Sequence, residues 1–552
     1  MAGDKGRKFV NIFRQISVEP ILFLAFLSMH ISQVVQQVGI YKVVCRQMYV
    51  SMPEIDCNHL ANVTVDGKLV EDAVQKRVAM WNMALGIAYL APALFADVFL
   101  GAYGDRHGRK VNMMLGMAGL MISLYPLVLQ FTYPLSMPLY ILIIAHVITG
   151  FTGFIAITMI SSFAYLTDTV LNPEALTIRM AGMSVVLHLA TIVGPLIAGS
   201  TAKTLSSAQV VLVCQAFLAA AFLLCLVLIR QMPPSQIRQL FKDREEKEKG
   251  RLEPVDDHPM KSLPASQTNS PISTASGSST SVEQKESVCQ LAVNLLKETW
   301  HTYSKKREGN VRIYLFLTAF IFFLNTISEM GIRISIFTLY VQKAPLSWDQ
   351  DKIGYFKAAQ AAMLMAGTLF GVIIFKKIFK LTDTFIILIA GISHVCETVV
   401  MAFTTTDALA YISAAVGSLS GLTMPCVQSF LAQQVGHDEV GKAYIAFGIS
   451  ANIGFLVSNA IYNPIYSATV SFFPGLVFLF ASVLLCIALA AIAWLHFDVH
   501  FKTQAADVQF QKKLVRSIFS AKKRETPMAT AKVTPVDIAV APVKMDSTNV
   551  SA

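Results

Sequence analysis

The sequence predicts an all-α membrane protein with twelve transmembrane helices in two six-helix bundles, and three observations carry that prediction. Of 552 residues, 54% are hydrophobic and 14% charged, against roughly 45–50% and 25% in soluble domains, and the mean hydropathy is +0.55. The apolar residues gather in runs that reach the length of about 20 residues a helix needs to cross a bilayer. One long polar stretch, residues 232–311, divides those runs into two sets of six. A soluble globular enzyme is excluded on composition.

The elements follow in order. Residues 1–18 open with a basic stretch, Met1 to Arg14, too polar for a cleavable signal peptide, and are expected in the cytosol. The first bundle, 19–231, has spans near 20–42, 79–103, 111–132, 138–167, 177–200 and 207–230. The second, 312–498, has spans near 312–342, 352–375, 382–404, 406–433, 441–467 and 471–497. The fourth and tenth run long and carry Gly, Pro or Ser breaks, which blurs their ends. Between the bundles, 232–311 opens with charges and continues through Ser, Thr and Pro from Leu263 to Ser281, the composition of a disordered cytosolic linker. The tail, 499–552, spaces Val508, Phe510, Leu514, Val515, Ile518 and Phe519 among Lys512, Lys513 and Arg516. Such a helix has one greasy and one basic face, so adsorption to anionic lipid and simple solvation both remain open.

The net charge of +10 sits in short Lys/Arg clusters between apolar runs, where it sets orientation; nucleic acid is the weaker reading and is not expected as a partner. Clusters at Lys5 to Arg14, Arg106 to Lys110, Lys376 to Lys380 and Lys502 to Arg524 fall on one side of twelve alternating spans, so both termini are expected in the cytosol. The opposite side receives Lys42 to Val78, with the sequon at Asn62 and with Cys45 and Cys57; glycosylation and an oxidised pair are both possible there. A second sequon, at Asn549, falls in the tail and is expected to be unused. Cys214, Cys225, Cys396, Cys426 and Cys486 lie inside apolar runs without metal-ligand spacing, so no metal or cofactor is expected.

The sharpest local signal is the run from Gly101 to Lys110, with Gly104, Asp105, Gly108 and Arg109 between the second and third spans. It resembles the signature loop of the major facilitator superfamily. A tight turn needs glycine, and Asp105, Arg109 and Lys110 supply charges that can latch neighbouring helix ends in one conformation and release them in another. Asp168, closing the fourth span, and Arg179, opening the fifth, suggest a clamp at the same rim. A weaker counterpart follows the eighth span, where Gly371 precedes Lys376, Lys377, Lys380 and Asp383. In the fifth span, Gly194, Pro195 and Gly199 permit close approach or bending, and either a rocking joint or ordinary packing accounts for them.

A charge in lipid costs a few kcal/mol, so charged residues inside spans point to a cavity or a partner. Glu329 and Arg333 in the seventh span are four apart, one turn, and can neutralise each other or take a proton and an anion. Asp97 is either a proton acceptor or part of the latch network. His188 can relay protons or be simply hydrogen-bonded, while His394 and Glu397 read as a structural pair. In the eleventh span Asn452, Asn459, Tyr462 and Asn463 can read a polar solute from a cavity wall or hold helices together.

Further strings narrow the resemblance: Val18-Glu19-Pro20, Thr338-Leu339-Tyr340, Pro345-Leu346-Ser347-Trp348, Ile353-Gly354-Tyr355, and Ala460 to Thr469. Together the chain resembles the proton-coupled folate transporter family, with its thymic stromal and lysosomal members. That resemblance implies alternating access and solute movement coupled to protons, with a small, folate-like organic anion as solute. The departures are at the coupling positions. Ser184 stands where the folate transporter's fifth span has a carboxylate, Met330 beside Glu329 replaces a histidine, and Gln428 stands near an arginine. Ser347 replaces a cysteine, leaving Cys45 with Cys57 as the local bridge. Coupling is therefore expected to rest on Glu329, Arg333 or Asp97, with Arg333 attracting the anion. The rival readings are a lysosomal exporter of catabolites or muropeptides and a non-transporting receptor or scaffold. The plasma and lysosomal membranes remain alternatives, as does the oligomeric state. A membrane enzyme is disfavoured by the lack of HExxH, GxSxG and phosphate-loop motifs.

Overall fold

The computed structural model describes residues 18–524 except 59, 62, 171–172, 234, 238, 240–287, 308 and 436–438. Asn62, Asn172 and Asn549 therefore lie outside the described residues. Eleven described helices are long and apolar enough to cross a membrane. Val440–Thr469, a helix of 30 residues, holds the eleventh place in the series of twelve.

The first six spans are Glu19–Met48, Val70–His107, Lys110–Thr132, Tyr140–Thr169, Pro173–Ser200 and Ser207–Leu228. The seventh to tenth are Val311–Gln342, Gln350–Ile378, Asp383–Ala402 and Asp407–Gln434. The twelfth begins at Leu476 within a helix that continues to Arg524. From His496 the described residues belong to a separate unit, helical as far as Arg524.

Both spans with break signals are interrupted. The fourth stops at Phe151 and restarts at Phe154 through Gly153, whose φ of +76° suits glycine. The tenth tightens into a 3-10 stretch at Gly417–Leu422. The seventh widens into a π-helix at Met330–Ile336, an irregularity its composition does not announce.

The expected external loop, Lys42 to Val78, is shorter than the sequence suggests, because the first helix runs to Met48 and the second starts at Val70. Between them Thr64–Val65 pairs with Lys68–Leu69 in a two-stranded hairpin, and Cys45 is bonded to Cys57. The disordered linker also needs correction. Val288–Ser304 is a helix, and Tyr303, Thr299 and Thr302 are buried while Trp300 is exposed. The spacing of a one-sided helix was hidden within a segment read from its Ser/Thr/Pro-rich part.

Two seams join the halves: the fifth span packs on the eighth, and the second on the eleventh. Cα approach in the first seam is tight, since a Cβ on Gly354 would lie 2.6 Å from the Cα of Gly199.

Candidate functional site

The end carrying Asp105 and Arg109 is called here the latch end, and the end carrying Cys45–Cys57 the disulfide end. At the disulfide end the halves are tied by side chains. Lys343 pairs with Asp72, and Glu71 accepts from the amide of Ala344 at 3.1 Å. Gln75 donates to the carbonyl of Leu339 at 3.0 Å and accepts from the Tyr466 hydroxyl at 3.1 Å. Gln350 donates to the carbonyl of Ala198 at 2.8 Å.

Toward the latch end both seams part. Ser184, His188, Thr191, Pro195 and Gly199 form one stripe of the fifth span, three or four residues apart. Pro195 and Gly199 meet Gly354, and Thr191 meets His30 at 3.1 Å, but Ser184 and His188 are exposed. In the other seam Asn459 packs on Gly86, Phe455 on Tyr89, and Asn452 donates to Asp97 at 3.3 Å. Beyond them a Cβ on Gly448 or on Gly101 would meet nothing within 4 Å. The same two helix pairs are thus in contact at one end and separated at the other.

A cavity of about 200 Å³ lies at the closed part of the second–eleventh seam. Its polar lining includes His30, Gln33, Gln36 and Gln37 from the first span, His146 from the fourth and Asn459 from the eleventh. Tyr89, Phe154 and Phe455 form an aromatic wall, with ring centroids 4.9 and 6.2 Å from Tyr89. His146 Nδ1 is 2.7 Å from the carbonyl of Leu142, which fixes the proton on Nδ1 and leaves Nε2 to accept from Gln36 at 3.3 Å.

Arg333 is central to a second polar group. Its guanidinium donates to Glu329 at 3.1 Å, to Glu397 at 2.6 Å and to the Ser420 hydroxyl at 2.9 Å. Gln360 donates to the other oxygen of Glu397 at 3.1 Å. This corrects two expectations. Arg333 is occupied by two carboxylates and is not presented to a solute, and Glu397 belongs with Arg333 while His394 faces Asn325 at 3.1 Å. Glu329 is the accessible member, 34% exposed against 7% for Glu397.

The remaining sequence candidates separate. Of the eleventh-span group only Asn459 lines the cavity. Asn463 is buried on Ser335 at 2.8 Å, and Tyr462 is fully buried against Gly331 and Phe480, so neither reads a solute in this conformation. Asp97 contacts Asn452 across the seam and is not among the latch partners; its other oxygen is buried without a partner among the described residues. Ser184 and His188 face the open part of the fifth-span seam, with His188 Nδ1 2.7 Å from the Ser184 carbonyl. Gln428 offers its carbonyl to the Tyr444 hydroxyl at 3.1 Å.

The latch is formed within the first half. Arg109 bridges Asp105 at 2.5 Å and Asp168 at 3.3 Å. Gly108 has φ +105°, and a Cβ there would lie 2.4 Å from the carbonyl of Met232. Gly101 sits in open space, and Lys110 caps the carbonyl of Leu226 at 2.6 Å instead of joining the carboxylates. The expected clamp is two separate pairs: Asp168 holds Arg109, and Arg179 is turned to Glu19 at 2.8 Å.

Sequence reasoning missed the amides and the one histidine of the first span. Their signal is spacing: His30, Gln33 and Gln37 fall three and four apart on one face. It also missed Lys357, a charge inside an apolar run that the criterion applied to Arg333 should have caught.

Residues 69–459 match the Major Facilitator Superfamily. The chain is 25% identical to the chicken (Gallus gallus) lysosomal proton-coupled steroid conjugate and bile acid symporter SLC46A3, over 87% of this chain and 93% of that one. It is 24% identical to the rat (Rattus norvegicus) proton-coupled folate transporter, over 77% and 80%, and 23% identical to mouse (Mus musculus) solute carrier family 46 member 2, over 78% and 84%. Among solved structures it is similar to a D-xylose-proton symporter, with TM-score 0.54, 11% identity and coverage of 86% and 96%. It is also similar to the nucleoside transporter NupG, with TM-score 0.53, 14% identity and coverage of 86% and 99%.

Proposed function

We propose that this chain, which belongs to the Major Facilitator Superfamily and is by that membership a multi-pass secondary transporter, moves a small organic anion together with protons by alternating access. The single observation that carries the coupling is the charge count around Arg333. One guanidinium between Glu329 and Glu397 leaves a net charge of about −1 when both carboxylates are ionised, and one proton neutralises the group. Glu329, the exposed member, takes that proton.

The seams supply the conformational half of the reading. Ties at the disulfide end and separation at the latch end correspond to one of two exposures, and protonation that favours one over the other drives the cycle. Asp97, bonded across the second seam to Asn452, is a second place for a proton to act on that balance. The central cavity, with an aromatic wall and amide edge, suits a solute with an apolar body and a polar end. At about 200 Å³ it is below the roughly 300–1,000 Å³ of pockets for drug-sized ligands, so a larger anion enters as the halves part further. Basic residues at the latch end support a cytosolic assignment for that end and for both termini.

The test is flux in proteoliposomes under an imposed pH gradient, with a folate, a bile acid and a muropeptide as candidate anions. Proton-driven uptake of at least one is expected, and Glu329→Gln is expected to uncouple uptake from the gradient. No flux of any anion under any gradient would instead favour a receptor or scaffold. The chicken relative's name favours a lysosomal membrane as a second reading of location, with export from that compartment. Imaging of the tagged protein decides between it and the plasma membrane.

A further inference from the structure

Three largely buried arginines are matched by carboxylates: Arg333 by Glu329 and Glu397, Arg179 by Glu19, Arg109 by Asp105 and Asp168. Lys357 differs. It lies seven residues into the eighth span, about 10 Å from its start at 1.5 Å per residue, and is half-buried. Among the described residues it has no ion-pair partner, and its ammonium donates to the side-chain oxygen of Gln37 at 2.8 Å. A neutral amide is a weaker partner than a carboxylate. Nor does the side chain snorkel toward the end of the span, since its head is engaged with the first span across the seam between halves.

Gln37 connects that charge to the cavity. It lines the cavity itself, and the same oxygen that accepts from Lys357 also accepts from the Thr338 hydroxyl, while its amide nitrogen donates to the carbonyl of Ile334. His30, on the same face of the first span, lies within electrostatic range of Lys357. Lys357 does not itself line the cavity; Gln37 stands between its ammonium and the cavity, so withdrawal of the Gln37 oxygen leaves an unmatched ammonium directly behind that wall. An unmatched cation in an apolar span is unfavourable, and an oxyanion entering the cavity is the group that relieves it.

We propose that Lys357 is the charge that recognises the oxyanion of the solute, held by Gln37 while the cavity is unloaded and transferred to the solute's carboxylate or sulfate on binding. This rests on the reading of the protein as an anion transporter, and it moves the anion site from Arg333, inside the second half, to the contact between the first and eighth spans. Because Lys357 belongs to one half and Gln37 to the other, the exchange also removes a tie between the halves on the disulfide side of the cavity.

The probes are a bile acid carboxylate, a steroid sulfate and the parent uncharged steroid. Binding is read by thermal shift of the purified full chain, and uptake by proteoliposome flux. Loss of one charge-assisted contact predicts that Lys357→Gln weakens binding of the anions about tenfold or more, with the uncharged steroid changed less than about twofold. Lys357→Arg is expected to keep anion binding within about threefold. Sulfate and carboxylate lost together support a shared oxyanion site, and loss of one alone supports the same site with that group as the true ligand. Equal loss of charged and uncharged probes, with no rescue by arginine, shows a structural role and overturns the inference. Anion affinity unchanged in Lys357→Gln, in a protein whose flux Glu329→Gln still uncouples, overturns it while sparing the transport reading. A native protein that binds neither of these anions nor a folate or a muropeptide overturns both.

Discussion

Arg333 Nη2 lies 2.6 Å from Glu397 Oε2, although the two residues are 64 apart in the chain and belong to the seventh and ninth spans. The same guanidinium holds Glu329 at 3.1 Å, so its removal leaves two carboxylates of like charge, one of them 7% exposed. Arg333→Met is expected to destabilise the detergent-purified protein by about 3–5 kcal/mol, measured as a fall in unfolding midpoint. Combining it with Glu397→Gln should recover part of that loss. Strict additivity in the double-mutant cycle would show that the two side chains are not energetically coupled.

The latch loop separates two glycines that look alike in sequence. Gly108 has a φ of +105° and the carbonyl of Met232 where a Cβ would go, whereas Gly101 has open space. Gly108→Ala is expected to cost about 1–3 kcal/mol of stability from backbone strain and the clash. Gly101→Ala, inside a helix, should be neutral or stabilising by up to about 1 kcal/mol. Gly101→Phe is the informative contrast, because a bulky side chain fits the separated seam but opposes its closure. Stability near that of the native protein with flux lowered several-fold is the expected result, and undiminished flux would show that this seam does not close at Gly101.

The membrane spans were legible because a helix in lipid must be apolar along its length, and that requirement is written residue by residue. The breaks in the fourth and tenth spans were legible through glycine, serine and proline, and Gly153 with its positive φ is the physical form of one of them. Side-chain partners were less accessible. Glu329 with Arg333 is local, one turn of helix, and could be read; Glu397 joins them only through packing of three spans around Ser420, which spacing along the chain does not encode. His394, three residues from Glu397, was a plausible local partner, but the ninth helix directs the two side chains to different neighbours. Likewise Lys357 finds Gln37 across 320 residues.

The segment just after the linker helix carries a pH-sensitive tie. Glu439, just before the eleventh span, accepts from Arg307 at 2.5 Å and from Lys305 at 3.1 Å, and its carboxyl is held below its usual range chiefly by the hydrogen bond from Arg307. A lowered carboxylate pKa means that the tie is fully present above the ordinary carboxylate value and is lost as pH falls through the lowered one. Proteolysis after Lys305 and Arg307 is therefore expected to be slow and constant from neutral pH to about pH 5, where a carboxylate of ordinary pKa near 4.3 is still ionised. With an acid-active protease it should accelerate only at lower pH. Glu439→Gln should show the faster cleavage already at neutral pH. Equal cleavage of both proteins at neutral pH would show that the ion pairs do not hold the segment.

The closed disulfide end depends on Gly354, because a Cβ there would lie 2.5 Å from the carbonyl of Pro195 and 2.6 Å from the Cα of Gly199, both backbone atoms that cannot swing aside. Gly354→Val must therefore push the fifth and eighth spans apart where they now touch. If the halves rock as rigid bodies, separation at this end brings the same spans together at the other, where Ser184 and His188 are exposed. A cysteine at His188 reports that movement. His188→Cys, made in a background lacking the other free cysteines, is expected to react readily with a bulky polar maleimide, and adding Gly354→Val should slow that reaction several-fold. A shift from one dominant exposure to an even mixture needs only a few kcal/mol, well within what a backbone clash supplies. Unchanged labelling in a folded double variant would mean that the two ends open independently, and the rocking account of the seams would then be wrong.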